Sequence, residues 1–314
     1  MKKVITLGSA VLDIILKTKE TKDPDWGEKI EIDDFDFSLG GGALNVAVSL
    51  SKLGLDVSSY FHLGKDFIGN ILKTKLKKLK IKKNIFYHKK STSFSIIILP
   101  PQGERIIYVF RGKETNFTKN ELNKIKKSQY YYISPGKTLP QDLIYFLKKI
   151  KKESKLIAIN PSKVFLKSKN FINSLRLCDL IFVNEEELRI IKNNKVDTLN
   201  LGKEIFNLIQ PKILVVTLGE RGSLTYFQDK IFFGGIFKPN RVIDKTGAGD
   251  AFASAFFGCL VLNDKVNEEI IKKAIIWGSA NSSSVIQKLG AQNGILDKKD
   301  YYKFEKNKFE IKII

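Results

Sequence analysis

The sequence predicts an α/β fold with a doubly wound, mainly parallel sheet and a small second β-sheet that forms a lid. Short runs rich in β-branched residues alternate with amphipathic segments through most of the 314 residues. Several of these runs are apolar throughout, as expected for strands covered on both faces of a parallel sheet. The alternation is interrupted twice by extended runs with no helix between them, and these predict the lid.

The predicted elements follow this alternation in order. Main-sheet strands are predicted at Val4–Leu7, Val57–His62, Tyr130–Ser134, Leu156–Asn160, Leu180–Asn184 and Ile213–Leu218. Helices are predicted at Ala43–Leu53, Asp66–Leu79, Lys119–Lys126, Gln141–Glu153, Glu185–Ile191 and Leu199–Ile209. The third helix is signalled by a capping box, Thr118 with Glu121. Lid strands are predicted at about 10–17, 29–37, 94–99 and 105–111, the last two joined across residues 100–104. We expect one domain over residues 1–314, without a linker or repeat.

Composition excludes several classes of protein. With 43% hydrophobic and 28% charged residues, the chain is neither disordered nor collagen-like. No apolar run reaches the ~18–20 residues of a membrane helix, so no membrane association is expected. The first segment meets Asp13 too early for a signal-peptide core. Cys178 and Cys259 lack disulfide or metal spacing, which fits a cytoplasmic protein.

The net charge of +21 raises the question of nucleic-acid binding. Only six of the 54 basic residues are Arg, which leaves 54 − 6 = 48 Lys. Nucleic-acid readers usually depend on the fork of the Arg guanidinium, so this balance favours a generally Lys-rich composition. We do not expect a nucleic-acid partner.

A glycine-rich segment, Asp244–Asp250, leads into an apolar, alanine-rich helix. Small residues at Gly247, Ala248 and Gly249 let backbone N–H groups converge at the helix N-terminus, which favours a bound phosphate group. Asp250 beside this nest can accept a proton from an attacking hydroxyl. The alternative is an ordinary turn in which Asp250 caps the helix.

A second glycine-rich segment, Gly40–Asn45, precedes an amphipathic helix. Its three glycines let the backbone approach a ligand closely, and Asn45 offers a donor and an acceptor together. Alone, this pattern is equally compatible with a loop that begins a helix.

Together the two segments resemble the paired signatures of the PfkB (ribokinase-like) carbohydrate and nucleoside kinases. The first signature is met in full from Gly40 through Asn45 to Gly64, whereas the second has Lys245 where a small or β-branched residue is usual. Phe257 is also bulkier than this signature prefers at its end. The resemblance covers about residues 4–295 and implies a ribokinase-like, Rossmann-like fold. It also implies transfer of the ATP γ-phosphoryl group to a hydroxyl, with Mg²⁺ and, in some members, K⁺.

The resemblance implies a role for each matching residue. Asp250 would be the base, with the amides of Gly247, Ala248 and Gly249 holding the transferring group. The substrate-binding residues would be Asp13, Gly41, Gly42, Asn45 and Arg111. The nucleotide-binding residues would be Asn184, Glu187, Thr217, Gly219, Gly222 and Asn281. Glu187 would bind Mg²⁺, directly or through water, and Asp244 and Thr246 would bind K⁺.

The acceptor is less well defined than the reaction. The substrate loop lacks the Lys of ribokinases, and Val11 replaces their polar residue two before Asp13, which disfavours strict ribose specificity. A sugar phosphate is also disfavoured, because its dianion needs fixed cations and Arg111 is the one candidate. A sugar is favoured, while a nucleoside stays open because lid aromatics could hold its base. Those aromatics are Phe94, Tyr108 and Phe110.

Three further expectations complete the sequence analysis. A non-catalytic, kinase-like binding protein is the alternative from a different class, and the retained Asp250 and Asn184-x-x-Glu187 count against it. His62 and His88 are expected to be packed or surface residues away from the site. The exposed edges and apolar outer face of the lid predict a homodimer through it.

Overall fold

A ten-stranded sheet and a separate four-stranded sheet organise the protein, whose computed structural model describes residues 1–19, 27–100, 105–112, 116–194 and 196–314. The strands are β1 Lys3–Leu7, β2 Val11–Lys17, β3 Asp34–Gly40, β4 Asp56–Gly64, β5 Lys82–His88, β6 Phe94–Leu99, β7 Ile106–Phe110, β8 Tyr130–Ile133, β9 Leu156–Ile159, β10 Leu180–Asn184, β11 Ile213–Thr217, β12 Ser223–Phe227, β13 Lys230–Gly234 and β14 Ile311–Ile313. The helices are α1 Gly42–Lys52, α2 Phe67–Leu76, α3 Lys119–Asn123, α4 Pro140–Lys151, α5 Lys163–Leu166, α6 Phe171–Leu175, α7 Glu185–Ile191, α8 Thr198–Ile209, α9 Ala248–Asn263, α10 Glu268–Val285 and α11 Lys298–Glu305.

The main sheet has the order β14-β13-β12-β11-β10-β9-β8-β1-β4-β5. The pairs from β11 to β5 are parallel, whereas β12, β13 and β14 extend the sheet antiparallel. The doubly wound, mainly parallel fold and all six predicted main-sheet strands are confirmed, each within two residues at its ends. Strands β5 and β12–β14 were not predicted.

The central strands are buried on both faces, which explains their apolar runs. Tyr130 and Tyr132 belong to the core that contains α1, α9 and α10, whereas Tyr131 belongs to the core under α4 and α8. Successive side chains of a strand point to opposite faces, so each strand contributes to both cores. The strand predicted at Tyr130–Ser134 is therefore covered on both faces.

The lid is the sheet of order β3-β2-β6-β7, in which β2 and β6 are parallel and the other pairs antiparallel. The strand predicted at 29–37 is wrong at its start, because β3 begins at Asp34. Its bounds follow its pairing with β2, from Lys17 opposite Asp34 to Val11 opposite Gly40. The predicted turn at 100–104 lies, apart from residue 100, outside the described residues.

Helices α1 and α9 cross at close range and set the position of both glycine-rich segments. A Cβ atom at Gly258 of α9 would lie 2.4 Å from Cδ1 of Leu53 and 3.1 Å from Cδ2 of Leu50. One turn earlier, the Ser254 hydroxyl donates a 2.7 Å hydrogen bond to Oγ of Ser49. This contact brings the N-termini of the two helices together. None of the helices in the described ranges is long and apolar enough to cross a membrane.

Replacing Gly258 with Val should destabilise the fold, because the added methyl groups overpack the contact between α1 and α9. We expect the free energy of unfolding to fall by about 1–3 kcal/mol, measured by urea unfolding. Lys203→Val, on an exposed face of α8, introduces the same side chain without a clash. Equal stability losses in the two variants would contradict the close crossing.

Candidate active site

The two glycine-rich segments meet in a cleft of about 250 Å³ between the lid and the carboxyl ends of the parallel strands. Gly42 and Asp250 line the cleft from α1 and α9, and Glu187 lines it from α7. Val109 and Arg111 line it from the lid. The two segments, in which Asn45 and Asp250 are 205 positions apart along the chain, thus meet at one cleft.

The nest at the start of α9 has the predicted form. Gly247 is the N-cap residue, with a left-handed φ of 78°. A Cβ atom there would lie 2.5 Å from the Cβ of Ala291, so only glycine fits. The first amides of a helix have no partners within it, and the macrodipole makes them an anion site. Ala248 and Gly249 follow in the first turn, so the cleft borders the kind of helix N-terminus that favours an anion.

Asp250 stands beside this nest and contacts the other segment. The Asn45 Nδ2 donates to Oδ2 of Asp250 at 2.9 Å. The other oxygen, Oδ1, lies 3.6 Å from where a Cβ of Gly42 would be. Burial raises the pKa of Asp250, while the hydrogen bond from Asn45 lowers it. One carboxylate oxygen is thus held by protein and the other faces Gly42.

Asp13 is a buried residue of the lid strand β2, on the same face of that strand as Val11. Its Oδ1 accepts a hydrogen bond from the Ser95 hydroxyl, in the paired strand β6. Burial raises the pKa of Asp13 to about 6, and the nearby charges of Asp244 and Asp250 act in the same direction. A Cβ atom at Gly40 would lie 2.1 Å from Oδ2 of Asp13, so this glycine makes room for the carboxyl group.

Asn184 and Glu187 form a reciprocal capping box at the start of α7. Oδ1 of Asn184 accepts from the Glu187 amide at 2.8 Å, and Oε2 of Glu187 accepts from the Asn184 amide at 3.0 Å. Burial raises the pKa of Glu187 to about 7, and Glu186 and Asp250 contribute to the same shift. The pair therefore caps a helix and also presents a carboxyl group to the cleft.

The predicted nucleotide-side turn follows β11, next to α7. Thr217 ends β11 opposite Asn184 in the parallel register. Gly219 and Gly222, with φ of 61° and 98°, bound a single 3₁₀ turn. The Lys245 Nζ, 3.1 Å from Oε1 of Glu220, ties this turn to the segment before the nest. An ion pair of Arg221 with Glu185 ties it to α7.

Asp244 and Thr246, the expected K⁺ ligands, lie beside the nest. Both oxygens of the buried Asp244 accept backbone amides, from Thr246 at 2.8 Å and from Gly290 at 2.9 Å. Within the described ranges, the buried Oγ1 of Thr246 has no hydrogen-bond partner. The Arg105 Nε lies 3.9 Å from Oδ1 of Asp244. The oxygen donors suit a monovalent cation, and an arginine already stands near them.

Asn281 does not reach the cleft, and its predicted contact with the nucleotide is corrected. The side chain is completely buried in α10. Its Nδ2 donates to the Ala251 carbonyl at 2.8 Å and to Oγ of Ser49 at 3.3 Å, and its Oδ1 accepts from the Leu296 amide at 3.0 Å. These contacts join α10 to α9 and α1, so Asn281 has a structural role.

The lid presents two different faces to its surroundings. Ser95 is paired with Val109 and Phe94 with Phe110, so Ser95 and Val109 share the cleft face. Tyr108, Phe94 and Phe110 lie on the opposite face, where the rings of Phe94 and Phe110 are 5.3 Å apart. The expected aromatic wall for a nucleoside base is therefore not on the cleft side.

Three other side chains near the site were not predicted as site residues. Ser95 contacts Asp13, Gln292 contacts Asn45 at 2.9 Å, and Arg105 lies near Asp244. Each lies far in sequence from its partner, so no local pattern identifies the pairs. His62 is buried against Glu121 at 3.0 Å and does not line the cleft.

The raised pKa of Glu187 gives stability a pH dependence. Because the native pKa of about 7 exceeds the ordinary value near 4.5, the native state binds more protons between these values, and stability falls as pH rises through this window. We expect Glu187→Gln to exceed the wild type in unfolding free energy by about 1–2 kcal/mol at pH 8. The difference should shrink toward pH 4. Urea unfolding at both pH values measures it. Glu186→Gln, on the same turn but exposed, is the control, and an equal gain there would contradict the assignment.

Comparisons with known proteins identify the family of the chain. A family model described as pfkB family carbohydrate kinase matches residues 1–299. The chain is 27% identical over 307 residues to a bifunctional ribokinase/ribose-5-phosphate isomerase A of Fructilactobacillus sanfranciscensis, covering 94% of this chain but only 54% of that protein. It is 26% identical to a nucleoside kinase of Methanocaldococcus jannaschii, over 94% of both chains. The structure of Arabidopsis thaliana ribokinase complexed with ribose and ATP has the same fold, with a TM-score of 0.78 and 21% identity over 98% of this chain and 99% of that one. The chain belongs to the PfkB family of carbohydrate kinases, and its relatives include sugar and nucleoside kinases.

Proposed function

We propose that the protein transfers the γ-phosphoryl group of Mg·ATP to a hydroxyl of a small sugar, with Asp250 as the base. One observation carries the proposal: Asp250 is held by Asn45 at 2.9 Å, next to a nest of backbone amides and opposite Gly42 in one cleft. Phosphoryl transfer depends mainly on positioning and on neutralising charge. This arrangement supplies both for an alcohol and a terminal phosphate.

Asp250 and the backbone amides at the start of α9 would act on the two reacting groups. Oδ1 of Asp250 would accept the proton of the acceptor hydroxyl, because Oδ2 is engaged by Asn45. The amides of Gly247, Ala248 and Gly249 would hold the transferring group at the N-terminus of α9. The raised pKa of Asp250 favours proton uptake as the alcohol attacks.

Asp13 would bind acceptor hydroxyls on the lid side, with Gly41, Gly42 and Asn45 forming the adjoining wall. Ser95 fixes one oxygen of Asp13, and the other lies against Gly40. A carboxyl group in this position can accept hydrogen bonds from two neighbouring hydroxyls of a sugar. Arg111, from the rim of the cleft, would contact substrate or product.

The nucleotide would lie along the turn after β11 beside α7, where Thr217 and Gly219 reach the surface and the buried Gly222 closes the turn. Glu187 and Asn184 would hold Mg²⁺, directly or through its waters, since their oxygens suit a hard cation. Mg²⁺ supplies charge neutralisation for the phosphates when it is bound. A K⁺ ion would use Asp244 and Thr246, whose unpaired hydroxyl oxygen fits such a ligand set.

The lid supports a sugar over a nucleoside as the acceptor. Its cleft face carries Asp13, Ser95 and Val109, and the aromatic side chains of β7 lie on the other face. The cleft volume of about 250 Å³ is below that of sites for drug-sized ligands. A nucleoside kinase is the second candidate, because a nucleoside kinase aligns over 94% of the chain.

A second copy of the chain is the proposed partner of the lid. All five residues of β7 are exposed and apolar, with Tyr108 at 60% and Phe110 at 45% exposure. Strand β7 is also the edge of its sheet. An exposed apolar edge is prone to pairing, so a homodimer through the lid would cover it.

A panel of acceptors with Mg·ATP tests the proposed substrate class. We expect ADP release with a monosaccharide, such as D-fructose or D-ribose, to exceed that with adenosine or cytidine by about tenfold or more in kcat/KM. Reactions with and without K⁺ test the cation in the same assay. Faster turnover of a nucleoside would favour the second candidate. No turnover with any acceptor would favour a non-catalytic binding protein.

Asp250→Asn should lose turnover while it retains ATP binding, because only the proton acceptor is removed. We expect kcat to fall by about 10³-fold or more, with the Kd for ATP unchanged by calorimetry. Asp13→Ala is the matched variant, which should raise the KM for the acceptor and leave ATP affinity intact. Turnover near the wild-type rate in Asp250→Asn would contradict the role of Asp250 as the base.

A further inference from the structure

Two side-chain amides in series connect the loop after α10 to Asp250. The Gln292 Nε2 donates to Oδ1 of Asn45 at 2.9 Å, and the Asn45 Nδ2 donates to Oδ2 of Asp250 at 2.9 Å. The three residues come from three separate segments, and 247 residues separate Gln292 from Asn45. Asn45 is only 5% exposed, so its two polar ends are committed to these partners.

The direction of this chain of hydrogen bonds follows from the chemistry of its end groups. An ionised carboxylate only accepts hydrogen bonds, so Asn45 must turn its NH₂ group toward Asp250. That orientation directs its carbonyl oxygen at Gln292, which must then be a donor. A side-chain amide can donate there, whereas an ionised carboxyl group cannot.

The loop that carries Gln292 is itself fixed against the nest. The amide of Gly290 donates to Asp244, and Ala291 packs against Gly247. Gln292 therefore projects from a loop that already contacts the nest at the start of α9. The same loop that closes the nest also orients the group that holds the base.

On the basis of the proposed role of Asp250, we infer that Gln292 is a positioning residue. It fixes the Asn45 amide so that Nδ2 donates to Oδ2 of Asp250, which leaves Oδ1 directed at the acceptor. Gln292 touches neither reacting group, and it acts through Asn45.

The pKa of Asp250 depends on which end of the Asn45 amide faces its carboxyl group, so the titration of Asp250 measures the orientation of that amide. The charged and titratable groups that share its surroundings are Asp13 from β2, Glu187 from α7, Arg111 after β7 and Tyr132 from β8. None of them is altered by a substitution at residue 292. A change in the Asp250 titration in Gln292→Leu, which adds no charge, would therefore come through Asn45.

Gln292→Glu is the decisive variant, because an ionised Glu accepts where Gln donates. The Asn45 amide should then turn over and present its carbonyl oxygen to Asp250. We expect the pKa of Asp250 to rise by about one unit. The acidic limb of the kcat/KM profile should move to higher pH by the same amount. At a pH on that limb, kcat/KM with the better of D-fructose and D-ribose should fall about tenfold, with recovery at higher pH.

Two matched variants and a direct readout complete the test. Gln292→Leu removes the donor without adding charge and should shift the pKa of Asp250 in the same direction by less. Asn293→Asp adds the same charge one residue further along, where the side chain contacts the Leu289 carbonyl and not Asn45. This variant should leave the pKa of Asp250 unchanged. Selective ¹³Cγ-aspartate labelling reads the titration without substrate, once the Asp250 signal is assigned by its loss in Asp250→Asn.

The outcomes separate this inference from the proposed function. An unchanged Asp250 titration in both Gln292→Glu and Gln292→Leu overturns the positioning role, and so does an equal shift in Asn293→Asp. A shifted titration with an unmoved kinetic profile supports the positioning role and contradicts Asp250 as the base. If Gln292→Glu fails to fold, the smaller shift in Gln292→Leu decides the question.

Discussion

The close crossing of α1 and α9 is the contact on which the site depends. Gly258 and Ser254 let α9 approach α1 through Leu53 and Ser49. Because both helices begin at the cleft, this one contact places the glycine-rich start of each beside the other. The 2.9 Å hydrogen bond between Asn45 and Asp250 is its result at the cleft end. Larger side chains at the crossing would move Gly42 and Asn45 away from the nest at the start of α9 without changing any residue of the cleft.

The cleft concentrates negative charge in a protein whose net charge is +21. Glu187 and Asp250 line the cleft, Asp13 lies near Asp250, and burial raises the pKa of each of the three. Without ligands, this arrangement favours bound protons. A Mg²⁺ ion held beside Glu187 would favour the ionised form of this carboxyl group. Lys163 is near enough to Glu187 to lower the pKa of its carboxyl group, but burial has the larger effect.

The sequence predicts the elements whose cause is local, and it fails where the cause is distant. Strand β10 is apolar because both its faces are covered, which the sequence displays directly. Strand β3 was misplaced because its start is set by pairing with Lys17 and not by its own residues. Asn281 illustrates the same limit within the site. An asparagine suits a nucleotide as well as a buried helix contact, and only the packing of α9 against α10 distinguishes them.

The two-residue period of the lid strands links specificity to assembly. Alternation places Ser95 and Val109 over the cleft and Phe94 and Phe110 on the opposite face. A one-residue slip in β7 would turn Tyr108 and Phe110 toward the acceptor and Val109 toward the outer face. The register of β7 therefore keeps aromatic rings off the cleft face and places them on the outer face, which we propose a second copy covers. Because one register fixes both properties, covering the outer face would also hold Val109 and Arg111 over the acceptor.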